Sequence, residues 1–306
     1  MKLHQLKYIH EVARQGLSIS AAAEALHTSQ PGVSKQIQML EDELKLQIFQ
    51  RNGKRLTGIT EPGKHIVKLA ATVMLEMQNI KRVGDEFSKV ETGTLTIATT
   101  HTQARYKLPA ALKKFMEMYP HVKLNIHQGS PMQVTALVAS GEADIGIATE
   151  AISQDERLMC LSFYEWNRCV VVPKKHRLID AIPITLAKIS SYPLITYDSA
   201  YTGSTTVAKV FHDAGVLPNI ALTAIDADVI KTYVSLGMGV GLIASMAYDE
   251  ERDKDLVSID CSHLFPSSTT YLGIRKDTFL RGYIYGFIEL LDPKFDRKTV
   301  DSVLKG

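Results

Sequence analysis

The spacing of apolar residues changes once along this chain, near residues 91–93, and that change limits the possible folds more than any other feature. Before it, apolar side chains recur at helical intervals, as Leu3, Leu6, Ile9 and Val12 do. After it, short apolar strands alternate with helices. The 306 residues therefore predict modules of different class, and the length agrees, since single cores seldom grow beyond about 250 residues.

The composition and the N-terminus indicate where such a chain works. Charged residues make up 22%, and no apolar run approaches the roughly 20 residues that cross a bilayer. Glu11 and Arg14 interrupt the N-terminal apolar residues before an export signal could form. We expect a cytoplasmic protein without a membrane partner. Three cysteines without CxxC spacing are expected to be buried reduced thiols, and not a disulfide framework or a zinc site.

Charge is distributed unevenly between the two modules. Residues 1–90 carry 13 Lys and Arg against 9 Asp and Glu, a net charge of +4. The remainder carries 22 against 24, a net charge of −2. A basic head on a slightly acidic body is typical of a head that binds nucleic acid.

The basic head has the layout of a helix-turn-helix. An amphipathic helix over residues 3–15 precedes a short alanine-rich helix from Ile19 to Leu26, for which Ser18 is the expected N-cap. A tight turn at residues 27–29 leads into a third helix from Pro31 to Leu44. The polar side chains on its outer face suit a major groove, although an ordinary three-helix bundle would also carry a polar face.

A predicted hairpin after the third helix favours the DNA-binding interpretation. Residues 46–51 and 54–57 form short strands around the turn signal Asn52-Gly53. Such a wing would place basic side chains against the phosphate backbone or a minor groove. The residues that we expect to contact DNA are Thr28, Gln30, Pro31, Ser34, Lys35, Gln38, Arg51, Lys54 and Arg55.

The head resembles the LysR-type transcriptional regulators. The resemblance rests on the alanine-rich helix and the Ser-Gln-Pro-x-Val-Ser-x-Gln-Ile run within residues 22–37, then Leu40-Glu41 and the Ile-Phe-x-Arg run at 48–51. Lys45 departs from the pattern, because the family usually has Gly after the third helix. Glu61-Pro62-Gly63 replaces a commoner alanine-containing triplet. The resemblance implies a winged helix-turn-helix over residues 1–60.

A linker helix is predicted over residues 61–90. Its apolar residues alternate at spacings of four and three, which is typical of a heptad seam. The seam consists of Ile66, Ala70, Val73, Met77, Ile80, Gly84 and Phe87. A single amphipathic helix on its own domain would show the same pattern. The family resemblance favours a helix that pairs with a second copy, so that a dimer or tetramer places two reading helices on DNA half-sites.

The remaining residues 91–306 predict a two-lobed α/β domain. Strand–helix–strand units, the first with a helix expected over residues 104–119, imply a parallel sheet. The chain would cross between the lobes near 163–168 and 265–270, which gives lobe I as 91–163 with 268–306 and lobe II as 164–267. The arrangement resembles type 2 periplasmic binding proteins, and the LysR effector domain shares that fold.

Three helix starts in this domain are candidates for an anion site. Residues 99–103 follow the first strand, 201–205 open a helix of lobe II, and 226–228 open another. Hydroxyls and free backbone N–H groups at the positive end of a helix suit an anion. Each Thr or Ser taken singly would more often be an ordinary N-cap, and only their convergence on one cleft favours a site.

Several segments further resemble the CysB subgroup of the family, which regulates cysteine biosynthesis and sulfur assimilation. Residues 98–106, 127–131, 148–151, 166–168 and 223–233 carry this resemblance. It implies an effector such as N-acetylserine or O-acetylserine, with sulfate or thiosulfate as a competing anion. It also implies an activator that contacts RNA polymerase. The expected effector-binding residues are Thr100, Thr102, Gln103, Thr149, Trp166, Thr202 and Ala227.

There are alternatives to the interpretation as a CysB-like regulator. A Cbl-like regulator of sulfonate-sulfur genes is the alternative within the subgroup. A solute-binding protein would share the sensor fold, but an export signal and no basic head would be expected of it. An enzyme would need a reactive group in the cleft, and no catalytic set, metal spacing or cofactor motif is found. The glycines at 237, 239 and 241 follow a helix and precede a strand, the reverse of a dinucleotide fingerprint.

Overall fold

The computed structural model describes residues 1–53, 55–87, 92–198 and 204–305, with the side chains of 204, 205 and 305 excepted. The chain divides into two compact units, residues 1–88 and 89–306. Over the described residues, no helix combines the length and the apolar character needed to cross a membrane. Lys54 and Thr202, both named as candidate site residues, lie outside the described residues.

The first unit is a winged helix-turn-helix that continues into a long helix. Its elements are α1 Leu3–Arg14, α2 Ile19–Ala25, α3 Gln30–Leu44, β1 Phe49–Asn52, β2 Arg55–Ile59 and α4 Glu61–Glu86. The core joins Ile9 of α1, Ala22 of α2 and Ile37 of α3 to Phe49 of β1, all almost completely buried. The alanines of α2 let the neighbouring helices approach closely, because they add little side-chain volume between them. Strands β1 and β2 pair antiparallel as the wing.

The second unit contains two lobes, each built on its own sheet. The first part of the chain forms β3 Gly93–Thr99, α5 His101–Tyr106, α6 Pro109–Met118, β4 Val122–Gln128, α7 Pro131–Ala139, β5 Ile145–Thr149 and β6 Leu158–Trp166. The second lobe follows as β7 Arg168–Pro173, α8 Leu186–Ser190, β8 Leu194–Tyr197, α9 Ser204–Asp213, β9 Ile220–Ala224, α10 Ala227–Ser235, β10 Val240–Ala244 and β11 Leu256–Asp260. The chain then returns as β12 Ser268–Arg275, α11 Gly282–Leu291 and α12 Arg297–Lys305.

Both sheets are mixed. The strand order is β4-β3-β5-β12-β6 in the first lobe and β11-β7-β10-β8-β9 in the second. Strand β3 runs parallel to β4 and β5, and β8 runs parallel to β9 and β10. Strand β12 is antiparallel to β5 and β6, and β7 is antiparallel to β10 and β11. The carboxyl ends of the parallel strands in each lobe lead towards α5, α9 and α10, and the predicted effector residues Thr102, Gln103 and Ala227 lie on α5 and α10.

The predicted fold class is confirmed, and three details differ from the sequence analysis. The parallel sheets are mixed, because the strands that cross between the lobes return in the opposite direction. The helix expected over 104–119 breaks into α5 and α6, since Pro109 lacks the N–H that a continuous helix requires at that position. Strand β6 continues to Trp166 in the sheet of the first lobe, so residues 164–166 do not lie in the second lobe, where the pattern placed them.

Candidate nucleic-acid interface and effector cleft

One face of α3 is exposed and polar. Ser29 caps the helix, and its hydroxyl accepts a hydrogen bond from the backbone N–H of Gly32 (3.3 Å). Val33, Ile37 and Leu40 turn inward and are completely buried. The predicted DNA-contacting residues of this helix occupy the opposite face, all exposed apart from the partly buried Ser34. These residues are Gln30, Pro31, Ser34, Lys35 and Gln38.

The wing is fixed to α3 by a buried carboxylate. Glu41 is only 2% exposed. Its Oε1 accepts the backbone N–H groups of Ile48 (2.8 Å) and Phe49 (3.1 Å), and its Oε2 accepts a hydrogen bond from the Arg51 guanidinium (3.0 Å). Sequence reasoning missed this role. The available signal was an acidic residue four positions after Ile37, on the apolar side of the helix.

Arg51 therefore has a structural partner within the head. Its side chain is 28% exposed and forms an ion pair with Glu41, so part of its hydrogen-bonding capacity is already used. Arg55 and Thr28 are exposed. Strand β1 runs through Asn52, which pairs with Arg55, so Asn52 belongs to the strand and not to the turn where the sequence placed it. Among the described wing residues, Arg55 is the better phosphate candidate.

The linker helix α4 begins in direct contact with the wing. The Thr60 hydroxyl donates to the carbonyl of Gln47 (2.6 Å) and accepts from the N–H of Gly63 (3.0 Å). A side chain at Gly63 would bring its Cβ to 2.1 Å from the carbonyl oxygen of Ile48, which no residue other than glycine can satisfy without displacement. The first turn of α4 thus packs against the backbone that leads into β1.

The outer half of α4 exposes the predicted seam within the head unit. Ile66 packs against the head core, whereas Met77, Ile80 and Phe87 are 41%, 73% and 83% exposed. Leu69 and Val83 are exposed beside them. An apolar stripe of this kind along one helix is the surface that a second helix covers in a coiled coil.

The effector candidates of the first lobe differ in whether their side chains already contact other residues. Thr100 stands at the N-cap position of α5, but its side chain makes no capping hydrogen bond. The Thr102 side chain lies near the hydroxyl of Tyr197 in the second lobe. Thr149 ends β5 and is 7% exposed.

Gln103 is committed to an internal network. It is 2% exposed; its Nε2 donates to the Thr270 hydroxyl (3.2 Å) and its Oε1 accepts from the hydroxyl of Tyr164. Burial raises the pKa of Tyr164 to about 12, so this hydroxyl keeps its proton and donates. Thr270 also pairs across the sheet with Thr149. The structure thus brings Gln103 and Thr149 together through the start of β12.

Trp166 has an unsatisfied donor. It is 8% exposed, and its indole Nε1 has no hydrogen-bond partner among the described residues. It lies opposite Ser268 at the start of β12. The Arg168 guanidinium stacks on its ring, with the guanidinium carbon 5.0 Å from the ring centre. Arg168 was not predicted as a site residue, although a charged residue opening an apolar strand was a readable signal.

Ala227, the remaining candidate, is completely buried in the second lobe, so only its backbone could contact a ligand. It opens α10, where the Asp226 carboxylate accepts the N–H of Val229 (2.8 Å) as an N-cap. Thr202 lies outside the described residues, and its predicted role stays a prediction.

A polar clasp joins the two lobes beside this cleft, and sequence reasoning did not find it. Asp228 of α10 accepts a hydrogen bond from the Tyr106 hydroxyl (2.6 Å) and pairs with Arg105 (3.2 Å), both on α5. Lys231, 7% exposed, pairs with Asp253 (2.9 Å) and Asp228 (3.5 Å). Burial opposes the ionisation of Asp228, but the Tyr106 hydrogen bond and the nearby cations outweigh it and lower its pKa.

One group of potential metal ligands lies in the described residues, and it fits a metal poorly. One ligand atom each from His101, Asp226 and Asp228 lies within 4.8 Å of the others. Asp228 is already held by Arg105 and Tyr106, and Asp226 caps α10. Cations beside a carboxylate compete directly with a metal ion.

Comparison with known proteins identifies the family. Residues 3–64 match the bacterial regulatory helix-turn-helix protein of the lysR family, and residues 88–296 match the LysR substrate binding domain. The chain is 47% identical to the HTH-type transcriptional regulator SsuR of Burkholderia cenocepacia, covering 100% of this chain and 99% of that one. It is 48% identical to CysB of Haemophilus influenzae, covering 99% and 93%.

A solved structure supports the sensor fold. The cofactor-binding domain of the Cbl transcriptional regulator is 41% identical and superimposes with a TM-score of 0.66, covering 70% of this chain and 95% of that one. These matches describe a transcription regulator and not an enzyme. The chain belongs to the LysR family of bacterial transcription regulators.

Proposed function

We propose that this LysR-type regulator controls genes of sulfur assimilation and cysteine biosynthesis, as an activator that contacts RNA polymerase in the cytoplasm. The similarity to regulators named SsuR, CysB and Cbl over nearly the whole chain supports this assignment. The observation that carries DNA binding is the exposed polar face of α3 beside a wing that Glu41 holds in place. A role in sulfonate-sulfur genes, as in the Cbl-like alternative, has equal support from the relatives.

The proposed effector is a small anion, such as N-acetylserine or O-acetylserine, with sulfate or thiosulfate as an opposing ligand. Its site would be the cleft between the lobes. Thr100 supports the site because its hydroxyl caps no helix, and Trp166 supports it because its indole N–H lacks a partner. Gln103 would act by positioning Tyr164 and Thr270, since both ends of its amide are already bonded.

The proposed mechanism is a population shift between two angles of the lobes. An effector between the lobes would favour one angle, which alters the spacing of paired subunits and the bend of the DNA. Footprinting on the upstream region of a sulfate-assimilation operon, with and without N-acetylserine, tests it. We expect a changed footprint and a changed bend; an identical pattern in both conditions contradicts the mechanism.

The DNA interface is tested by comparing two kinds of substitution. Arg55→Ala should weaken binding to all sequences and reduce the salt slope by about one unit, as expected for one lost phosphate contact. Gln38→Ala should instead reduce the preference for the operator over random DNA, because base contacts carry specificity. Titration of both variants at several salt concentrations separates the two effects. Equal behaviour of the two variants would refute the groove assignment.

A further inference from the structure

The second lobe contains a cavity whose lining, among the described residues, includes none of the predicted effector residues. It lies between α9 and the sheet and has a volume of about 220 Å³. Its walls are largely apolar, with Leu194 and Leu242 from the strands and Val207 and Phe211 from the helix. Pockets for drug-sized ligands measure roughly 300–1,000 Å³, so this cavity suits a small metabolite.

A buried cation lines this largely apolar space. Arg168 is 4% exposed. Its guanidinium donates to the carbonyl of Pro266 (3.4 Å) and the hydroxyl of Ser268 (3.3 Å), both neutral acceptors at long distance. Two of the five N–H groups of an arginine are used in this way.

The charge of Arg168 lacks a direct counter-ion. Over the residues that the structure describes, no carboxylate forms an ion pair with it, and Glu150 acts on it only as a nearby charge. Glu150 instead accepts the backbone N–H of Thr269 (3.1 Å). Burial lowers the pKa of Arg168 despite the charge of Glu150, because a buried guanidinium loses contact with solvent. A buried guanidinium is stabilised most by a planar or trigonal anionic group.

We propose that this cavity binds a small organic anion with a single negative charge, a carboxylate or sulfonate on Arg168, whose short aliphatic body packs against Leu242 and Phe211. One unpaired cation matches one negative charge. A dianion such as inorganic sulfate would bring a second charge, without a cation to match it, into largely apolar surroundings. The binding site itself does not depend on the proposed function. Only the role of the bound anion as a signal rests on it.

Calorimetry on the full chain tests the proposal with a series of probes. Methanesulfonate, ethanesulfonate and propanesulfonate are titrated beside acetate, propionate and butyrate, with inorganic sulfate as a further ligand. We expect affinity to rise about fourfold per added methylene, which is the roughly 0.8 kcal/mol of a buried CH₂ converted at 25 °C. A response to one head group alone would identify it as sulfonate or carboxylate, and either result supports the assignment.

Two variants locate the site. Arg168→Gln should abolish binding of the longer anions by removing the charge, and Val207→Phe should abolish it by filling the space without changing any charge. Arg177→Gln is the matched control, since this arginine is exposed in the same lobe and does not line the cavity. Circular dichroism establishes that each variant is folded, and Val207→Phe keeps the test informative if Arg168→Gln unfolds.

The proposal is overturned if no probe binds, if affinity is independent of chain length, or if both variants bind as the wild type does. The same wild-type preparation is assayed for promoter binding and for its response to N-acetylserine. If those persist while the probes have no effect, only the cavity assignment fails. If promoter binding is absent, the proposed function fails whatever the cavity binds.

Discussion

Lys45 ends α3 in the left-handed conformation, with φ of 55° and ψ of 37°. A side chain with a Cβ is strained there, and the position is one that glycine favours. Lys45→Gly should therefore stabilise the head by about 1 kcal/mol. Thermal unfolding measures the change, and Lys45→Ala is the control because it removes the charge without relieving the backbone. Equal stabilisation by both variants would attribute the gain to charge.

Glu41 is the second residue whose substitution has a defined expected effect. Glu41→Ala leaves two buried backbone N–H groups and Arg51 without their acceptor, so we expect a loss of about 3 kcal/mol in unfolding free energy. Urea denaturation measures this loss. Glu43→Ala on the same helix is the control, since Glu43 is 51% exposed and its partner is the N-terminal amine at the surface. Comparable losses in both would contradict the proposed buried anchor.

At the scale of residues, the sequence predicted where side chains lie better than it predicted which residues they bind. The polar face of α3 and the strain at Lys45 could be inferred from helical spacing and from a missing glycine. The partner of Arg51 could not, because the ion pair with Glu41 forms only after the chain reverses between helix and wing. Likewise, no local pattern indicates that Tyr164 and Thr270, distant in sequence, bind the amide of Gln103.

At the scale of elements, the exposed stripe on α4 makes self-association testable. Ile80→Glu places a charge in the centre of the proposed seam, where a second copy would bury it. We expect self-association at least about tenfold weaker, because apolar contacts are lost and a carboxylate loses solvent. Analytical ultracentrifugation of the full chain measures it. Gln78→Glu adds the same charge on another face of the helix and should leave assembly unchanged; no difference between the two would contradict the seam.

Helices and the strands of the βαβ units followed from local periodicity, whereas the strands that return between the lobes did not. Strand β12 pairs with β5 and β6 across more than a hundred residues of chain, and no local pattern indicates such a partner or its antiparallel direction. The break between α5 and α6 was readable from Pro109. The convergence of β5, β6 and β12 beneath the proposed cleft was not, since it depends on that long-range pairing.

At the scale of the whole sensor, we expect the clasp between α5 and α10 to make effector binding depend on a contact outside the cleft. Asp228→Asn removes the charge that faces Arg105 and weakens the acceptor for Tyr106. We expect the lobes to separate more readily and the affinity for N-acetylserine to fall by roughly three- to tenfold, a typical magnitude of coupling between sites. Calorimetry gives the affinity, and small-angle scattering reports the opening.

The control for this prediction is Asp249→Asn, which breaks a pair with Arg252 inside the second lobe (3.4 Å) and spans no cleft. Because the pKa of Asp228 is lowered, its contribution is present above the ordinary pKa of an aspartate and is lost as the pH falls through the lowered value. Wild-type affinity should therefore decline only in distinctly acidic buffer. Unchanged affinity in Asp228→Asn would remove the clasp from the mechanism.

The contact of Gly63 with the carbonyl of Ile48 has a mechanical consequence for the head. Because the start of α4 is packed against the wing, α4 can act as a lever that moves the wing and α3. At 1.5 Å per residue, the 26 residues of α4 give an arm of about 39 Å. A tilt of about 10° at its far end would move the DNA-reading end by about 7 Å, roughly the rise of two base pairs at 3.4 Å each. In a pair of subunits, a small change of angle would therefore shift the contact with DNA by whole base-pair steps.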